Sequence, residues 1–130
     1  MWRARRGSAA LEYGIVLPVF LMFIFGAFDC GRLIWTYATL SRAVDAAARC
    51  RAVNTATCGT GSAAESYAVT QAWGLGLSAA DAHTIFTAST AACGMQVVGT
   101  LSFKYSIPWF YGWAPTGNAK TLTATACYPS

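Results

Sequence analysis

Apolar residues run almost unbroken from Ser8 to Phe28, then thin into a repeating pattern. Glu12 is the only charge in the first stretch, and it lies near its start. A helix rises about 1.5 Å per residue, so this segment can cross a hydrocarbon core of roughly 30 Å. Lipid offers the backbone no hydrogen-bond partners, which makes a helix the expected conformation. Pro18 lacks a backbone donor and crowds the preceding turn, so a kink or local loosening is expected there. Beyond Asp29, the residues Leu33, Tyr37, Leu40, Val44 and Ala48 recur at helical spacing, with Arg32, Arg42, Asp45 and Arg49 outside that stripe. Arg51 rotates back onto it, as it would near a helix end. The pattern predicts one helix from about Ser8 to Ala52, roughly 67 Å long. Its first half is suited to lipid. Its second half carries a stripe read as the core contact of a following domain, rather than as an exposed partner surface.

The pattern changes at Asn54 to Gly61, a cluster of helix breakers. Its Gly59-x-Gly61 is too slight for a phosphate loop, which would follow a strand. Ser62-Ala63-Ala64-Glu65 reads as a capping box opening a second helix to about Gly74 or Leu77, with residues 78–82 as a connection. Residues 84–89 form a weak strand candidate. Met95, Val97, Leu101, Phe103, Tyr105 and Ile107 alternate with Gln96, Thr100, Ser102, Lys104 and Ser106; only Val98 interrupts the polar face, and Gly99 fills the remaining apolar slot. From Lys120 to Tyr128, Leu122, Ala124 and Ala126 alternate with threonines. A period of two marks half-buried antiparallel strands, here expected to pack on the long helix. The organisation is therefore residues 1–7 as a basic leader, 8–28 as a membrane span, 29–52 as a helical stalk and 53–130 as an α+β head.

Composition sharpens this picture. With 55% hydrophobic and 11% charged residues, the chain is too apolar for disorder and poor in charge for a soluble protein. The net charge of +4 invites a nucleic-acid reading, but three of the nine basic residues lie in the first six positions, where they act as a topology signal. Nucleic acid is not an expected partner. The arginines place the N-terminus in the cytoplasm and the head outside it, in a single pass.

Five cysteines are present. Cys30 falls at the outer end of the apolar run, and four lie beyond it. In an exported head these four suggest two disulfides, with three possible connectivities. Cys50–Cys58 would staple the helix end to the breaker turn. Cys93–Cys127 would be the second bond, provided that Cys93-Gly94 lies in a turn or bulge, because the two cysteines otherwise belong to opposite strand faces. A lone His83 and the lack of a C-x-x-C pair argue against a metal or covalent haem. No cofactor is expected. No nucleophile–base pair or paired carboxylates stand out, so an enzyme is not expected either.

The first thirty residues admit several readings. A cleaved secretory signal should end in small-x-small, whereas Phe28-Asp29-Cys30-Gly31-Arg32 follows here; Asp29 also spoils a lipoprotein-type site. An uncleaved anchor is the plain alternative. The order of residues supports a sharper one: an arginine leader, Gly7, four small or apolar residues, Glu12, Tyr13, then the apolar run. This resembles the processing site of type IV pilin-like proteins, and its Gly-x-x-x-x-Glu-Tyr form resembles the tight-adherence (Flp-type) branch. Residues 6–13, Leu17-Pro18-Val19-Phe20, Gly31-Arg32-Leu33, Ala46-Ala47-Ala48-Arg49 and the late residues 121–126 are similar to the signature of TadE-like pseudopilins.

The resemblance implies a pilin-like fold: a long N-terminal membrane-spanning helix packed on a small antiparallel sheet, with a second short helix. It further implies cleavage between Gly7 and Ser8 by a prepilin peptidase. Assembly would use Glu12 and Tyr13, with Glu12 pairing with the new amine of a neighbouring subunit. Other pilins and pseudopilins would be the partners. The location would be a bacterial inner membrane with a periplasmic head, and the subunit could enter a surface pilus used in cell adhesion or secretion. The length of the chain fits the minor, pseudopilin role rather than that of a major pilin. The physical counter-reading of Glu12 is a carboxylate snorkelling at the interface. The rival function is an uncleaved anchored binding module. It would present Trp109, Phe110, Tyr111 and Trp113, between Pro108 and Pro115, to an envelope partner or glycan; the same loop also suits a flap over a thin core.

Overall fold

A computed structural model describes residues 5–106 and 119–129, with side chains described from Ala9 onward. One helix, α1 (Arg5–Val53), runs through the leader's end, the apolar run and the stalk. At 49 residues it is about 73 Å long. It begins a few residues before the expected start at Ser8, and Pro18 lies inside it without ending it.

Beyond α1 come the short helices α2 (Thr55–Cys58) and α3 (Gly61–Gln71), a 3₁₀ turn (Ala79–Asp81) and α4 (Ala82–Ile85). The strands β1 (Phe86–Ala91), β2 (Gly94–Lys104) and β3 (Ala119–Tyr128) follow. The strands form an antiparallel meander in the order β1-β2-β3. The architecture is α+β, with α1 lying across β2 and β3 on one side and against α3 on another.

The alternation read in the sequence sets the inner face of the sheet. Val97 opposes Ala126, Gly99 opposes both Phe86 and Ala124, and Leu101 opposes Leu122. Phe86, Val97, Phe103, Leu122, Ala124 and Ala126 are buried there, against Leu40, Ala43, Val44, Ala47 and Ala48 of α1. The expected stripe on α1 holds at Leu40, Val44 and Ala48 but not at its N-terminal end. Tyr37 is 49% exposed and Leu33 is only partly buried, whereas Ala43 and Ala47 are completely covered. Small side chains let the sheet approach this turn of the helix closely, so the contact face follows the alanines. Gly99 extends the same logic to the sheet: a Cβ there would sit 3.0 Å from Leu40 Cδ1 and 3.1 Å from Phe86 Cε1.

Several local expectations change. The cap of α3 is Thr60, whose hydroxyl accepts from the Ala63 N–H at 3.2 Å, so Ser62 and Glu65 do not form the expected capping box. Glu65 reaches β1 instead. Its Oε1 accepts from the Ala88 N–H at 2.9 Å, and its other oxygen meets His83 Nδ1. The helix also stops at Gln71, short of Gly74 or Leu77, and the chain then turns through Gly74 and Gly76, both with left-handed φ (+82° and +66°).

The expected plain connection at residues 78–82 is a structured turn. Asp81 Oδ2 accepts from both Ser78 Oγ and the Ser78 N–H, each at 2.7 Å. Those two bonds, the hydroxyl's first, hold the Asp81 carboxyl below its ordinary value of 3.8. The weak strand candidate at 84–89 begins only at Phe86, because Thr84 and Ile85 belong to α4. The long strand stops at Lys104, short of Ile107, which lies outside the described residues along with the four aromatic residues of the 108–115 loop.

Both disulfides join the pairs considered from the sequence. Cys50–Cys58 ties the end of α1 to α2, and Cys93–Cys127 ties the β1–β2 turn to β3. Ala91 pairs with Gly94, so Cys93 sits in a two-residue turn, which frees it from the strand parity that set it against Cys127. Gly94 closes that turn with φ +119°, packed against the backbone of Tyr128 and Pro129. Cys30 is free and exposed.

Candidate functional site

The N-terminal motif is presented on a bare helix. Gly7 and Ser8 lie within the first turns of α1, and Glu12 stands four residues beyond Ser8, one turn further along the same face. Glu12 and Tyr13 are both exposed, and Glu12 makes no ion pair among the described residues. Every large apolar side chain from Leu11 to Phe28 is exposed, from Leu21 at 42% to Phe23 at 80%. Among the described residues, none covers any face of this segment. From Ala9 the helix is long and apolar enough to cross a membrane, with a mean hydropathy of 2.0 in its most apolar window. Water would charge heavily for so much exposed hydrocarbon, at about 25 cal/mol per Å². Lipid, other apolar helices, or both are the environment that such a surface fits.

The junction between rod and head is built around Asp29, which the sequence offered only as an obstacle to signal cleavage. It is 6% exposed, the first acid after the apolar run. Its Oδ2 accepts from the Ser106 N–H at 3.0 Å, and its Oδ1 accepts from Arg32 Nη1 at 3.2 Å. The same Arg32 nitrogen donates to Ser106 Oγ, and the guanidinium carbon lies 5.4 Å from the centre of the Phe103 ring. One turn of α1 therefore grips the end of β2 just past the apolar run. The Asp29–Arg32 spacing of three was visible in the sequence; the partner 77 positions away was not.

The residues singled out from the sequence do not converge on one site. Gly7, Ser8, Glu12 and Tyr13 share the start of the rod, while the two disulfides brace the far end of the stalk and the sheet. The aromatic residues Trp109, Phe110, Tyr111 and Trp113 lie outside the described residues. Among the described residues no group of three or more His, Cys, Asp or Glu side chains gathers as metal ligands would.

A family model described as TadE-like protein matches residues 7–49, from the glycine of the motif to near the end of α1, and stops before the head. No curated protein and no solved structure matched the chain.

Proposed function

We propose, from the match of residues 7–49 to a TadE-like family model, that this chain is a minor pseudopilin of the tight-adherence pilus system. It is made as a membrane precursor, cut after Gly7 by a prepilin peptidase, and takes part in assembly of the pilus through its N-terminal helix. The observation that carries this reading is the apolar rod left uncovered by the described residues and continuous with the stalk that supplies one wall of the head's core. A helix of this kind anchors a precursor in lipid and can later exchange lipid for neighbouring helices without altering the head.

Cleavage would place an α-amine at Ser8, one turn from Glu12 on the same face. A negative charge in the first turn of the shortened helix also complements the helix dipole. An unpaired carboxylate in a membrane segment costs ~2.5–3.5 kcal/mol at the bilayer centre and less near an end, where Glu12 lies, and pairing it with an amine of a neighbouring subunit gives assembly a driving force. The role is structural and needs no catalytic group.

The test is the intact mass of membrane-extracted protein expressed with and without its prepilin peptidase. The expected result is a peptidase-dependent chain beginning at Ser8, abolished by Gly7→Trp, with Glu12→Ala still processed but unable to support normal assembly. A chain retaining Met1-Trp2-Arg3 in both samples would overturn the processing role and favour the uncleaved anchored binding module.

A further inference from the structure

A cleft of about 580 Å³ opens where α1, the turn after α3 and the end of β2 meet. Gly31, Arg32 and Trp35 line it from the helix, Leu75 from the turn, and Phe103 and Lys104 from the strand. Its volume falls within the roughly 300–1,000 Å³ of small-molecule sites. Its height along the rod is its most informative property. Gly31 and Trp35 follow the last residue of the apolar run, Phe28, by about 5 and 11 Å along the helix axis. The polar layer of a bilayer extends roughly 5–8 Å beyond each face of the hydrocarbon core, so the cleft opens at headgroup level and reaches just past it.

Charge and aromatic placement agree with that position. Lys104 has no ion pair among the described residues. The contacts of Arg32 with Asp29 and Ser106 all use Nη1, leaving Nε and Nη2 without a partner among the described residues. Asp29 is buried and offsets one of the two cations, so the wall keeps a net positive charge. Trp35 and Trp73 meet edge to face at 5.7 Å beside the cleft, yet remain 52% and 64% exposed. Tryptophan pairs an apolar ring with a single N–H donor, which is why it collects at the membrane–water interface. An exposed pair at this height is poorly explained as core packing.

We propose that this cleft seats the phosphate-bearing headgroup of an anionic phospholipid of the phosphatidylglycerol type. Arg32 and Lys104 meet the phosphate, and the Trp35–Trp73 pair lies against the glycerol and upper acyl region. Cations at headgroup level attract the phosphate of an anionic lipid, each worth about 1 kcal/mol near the surface. The seat fixes the tilt of the head on the leaflet that it faces. The proposal rests on the reading of residues 9–28 as a membrane span.

The test uses the full chain reconstituted in vesicles with equal parts phosphatidylglycerol and phosphatidylcholine, floated on a density gradient and then analysed by native mass spectrometry for retained lipid. The expected result is flotation with preferential retention of phosphatidylglycerol. Lys104→Gln should float equally well but retain it about five-fold less, as loss of one interfacial cation implies. Arg32→Gln should do the same, and Lys104 is the cleaner probe because it stands outside the Asp29–Ser106 contacts. Equal retention of the two lipids, no effect of Lys104→Gln, or displacement by millimolar inorganic phosphate would overturn the lipid site, the last in favour of a free-anion site. A chain that does not float at all would overturn the membrane-span reading and the lipid site with it.

Discussion

At Gly99 the sheet comes closest to the long helix, and the absence of a side chain is what allows it. Leu40 and Phe86, both fully buried, occupy the space that a Cβ would claim. Gly99→Val therefore forces two packed side chains off their positions, and a cost of about 1–3 kcal/mol is expected. A lowered thermal midpoint of the full chain in detergent, with its helix content otherwise unchanged, would be the sign; an unchanged midpoint would show that the contact is slack. Glu65 and Arg51 teach a different lesson at the same scale. In the sequence Glu65 reads as half of a capping box and Arg51 as a charge near the end of the long helix. Yet the Glu65 carboxylate takes the Ala88 N–H, and Arg51 Nη1 donates to the Ser89 carbonyl at 2.8 Å. The Ala88 N–H faces the free edge of β1, where an unpaired group would otherwise invite another chain, and Glu65 covers it.

Among the elements, the two disulfides divide their work. Cys50–Cys58 closes a span of 8 residues at the end of α1, whereas Cys93–Cys127 closes a span of 34 and spans the sheet. Chain-entropy arguments assign them about 2.5 and about 4 kcal/mol respectively. Replacing Cys93 and Cys127 together by alanine is thus expected to lower the denaturation midpoint more than replacing Cys50 and Cys58. The reverse order would mean that native-state packing around α2, where Cys58 is fully buried, outweighs loop entropy. The strands were legible because their faces differ cleanly in polarity. The ends of α3 were not, since Ser62 and Thr60 are both good caps by residue type and only the approach of β1 drew Glu65 away from its own helix. The Cys93–Cys127 pair was legible on the condition that Cys93 lay in a turn, and the two-residue turn meets that condition.

For the whole molecule, the consequence of a single 49-residue helix is that the stalk cannot be cut from the head at residue 52, where the helix ends in the sequence pattern. Leu40, Ala43, Val44, Ala47 and Ala48 supply the helical wall of the core. A fragment of residues 29–130 should therefore fold and stay soluble, whereas residues 53–130 should not fold. Dispersed amide spectra of the first and collapsed spectra of the second would establish this; a folded 53–130 fragment would contradict the core as described.

The sequence by itself determined the apolar run, its basic leader, the Gly7–Glu12–Tyr13 order and the alternation of two strands. Each of these follows from local spacing, and helix or strand geometry turns spacing directly into a face. Only the tertiary structure decided which turn of α1 the sheet would meet, because its alanines point in every direction and none is distinctive until a neighbour approaches. It also decided that Asp29 would be buried with Ser106, that Glu65 would serve β1, and that Arg32, Trp35 and Lys104 would line one cleft. Those contacts join residues tens of positions apart, and their energies exist only once the chain has brought the partners together.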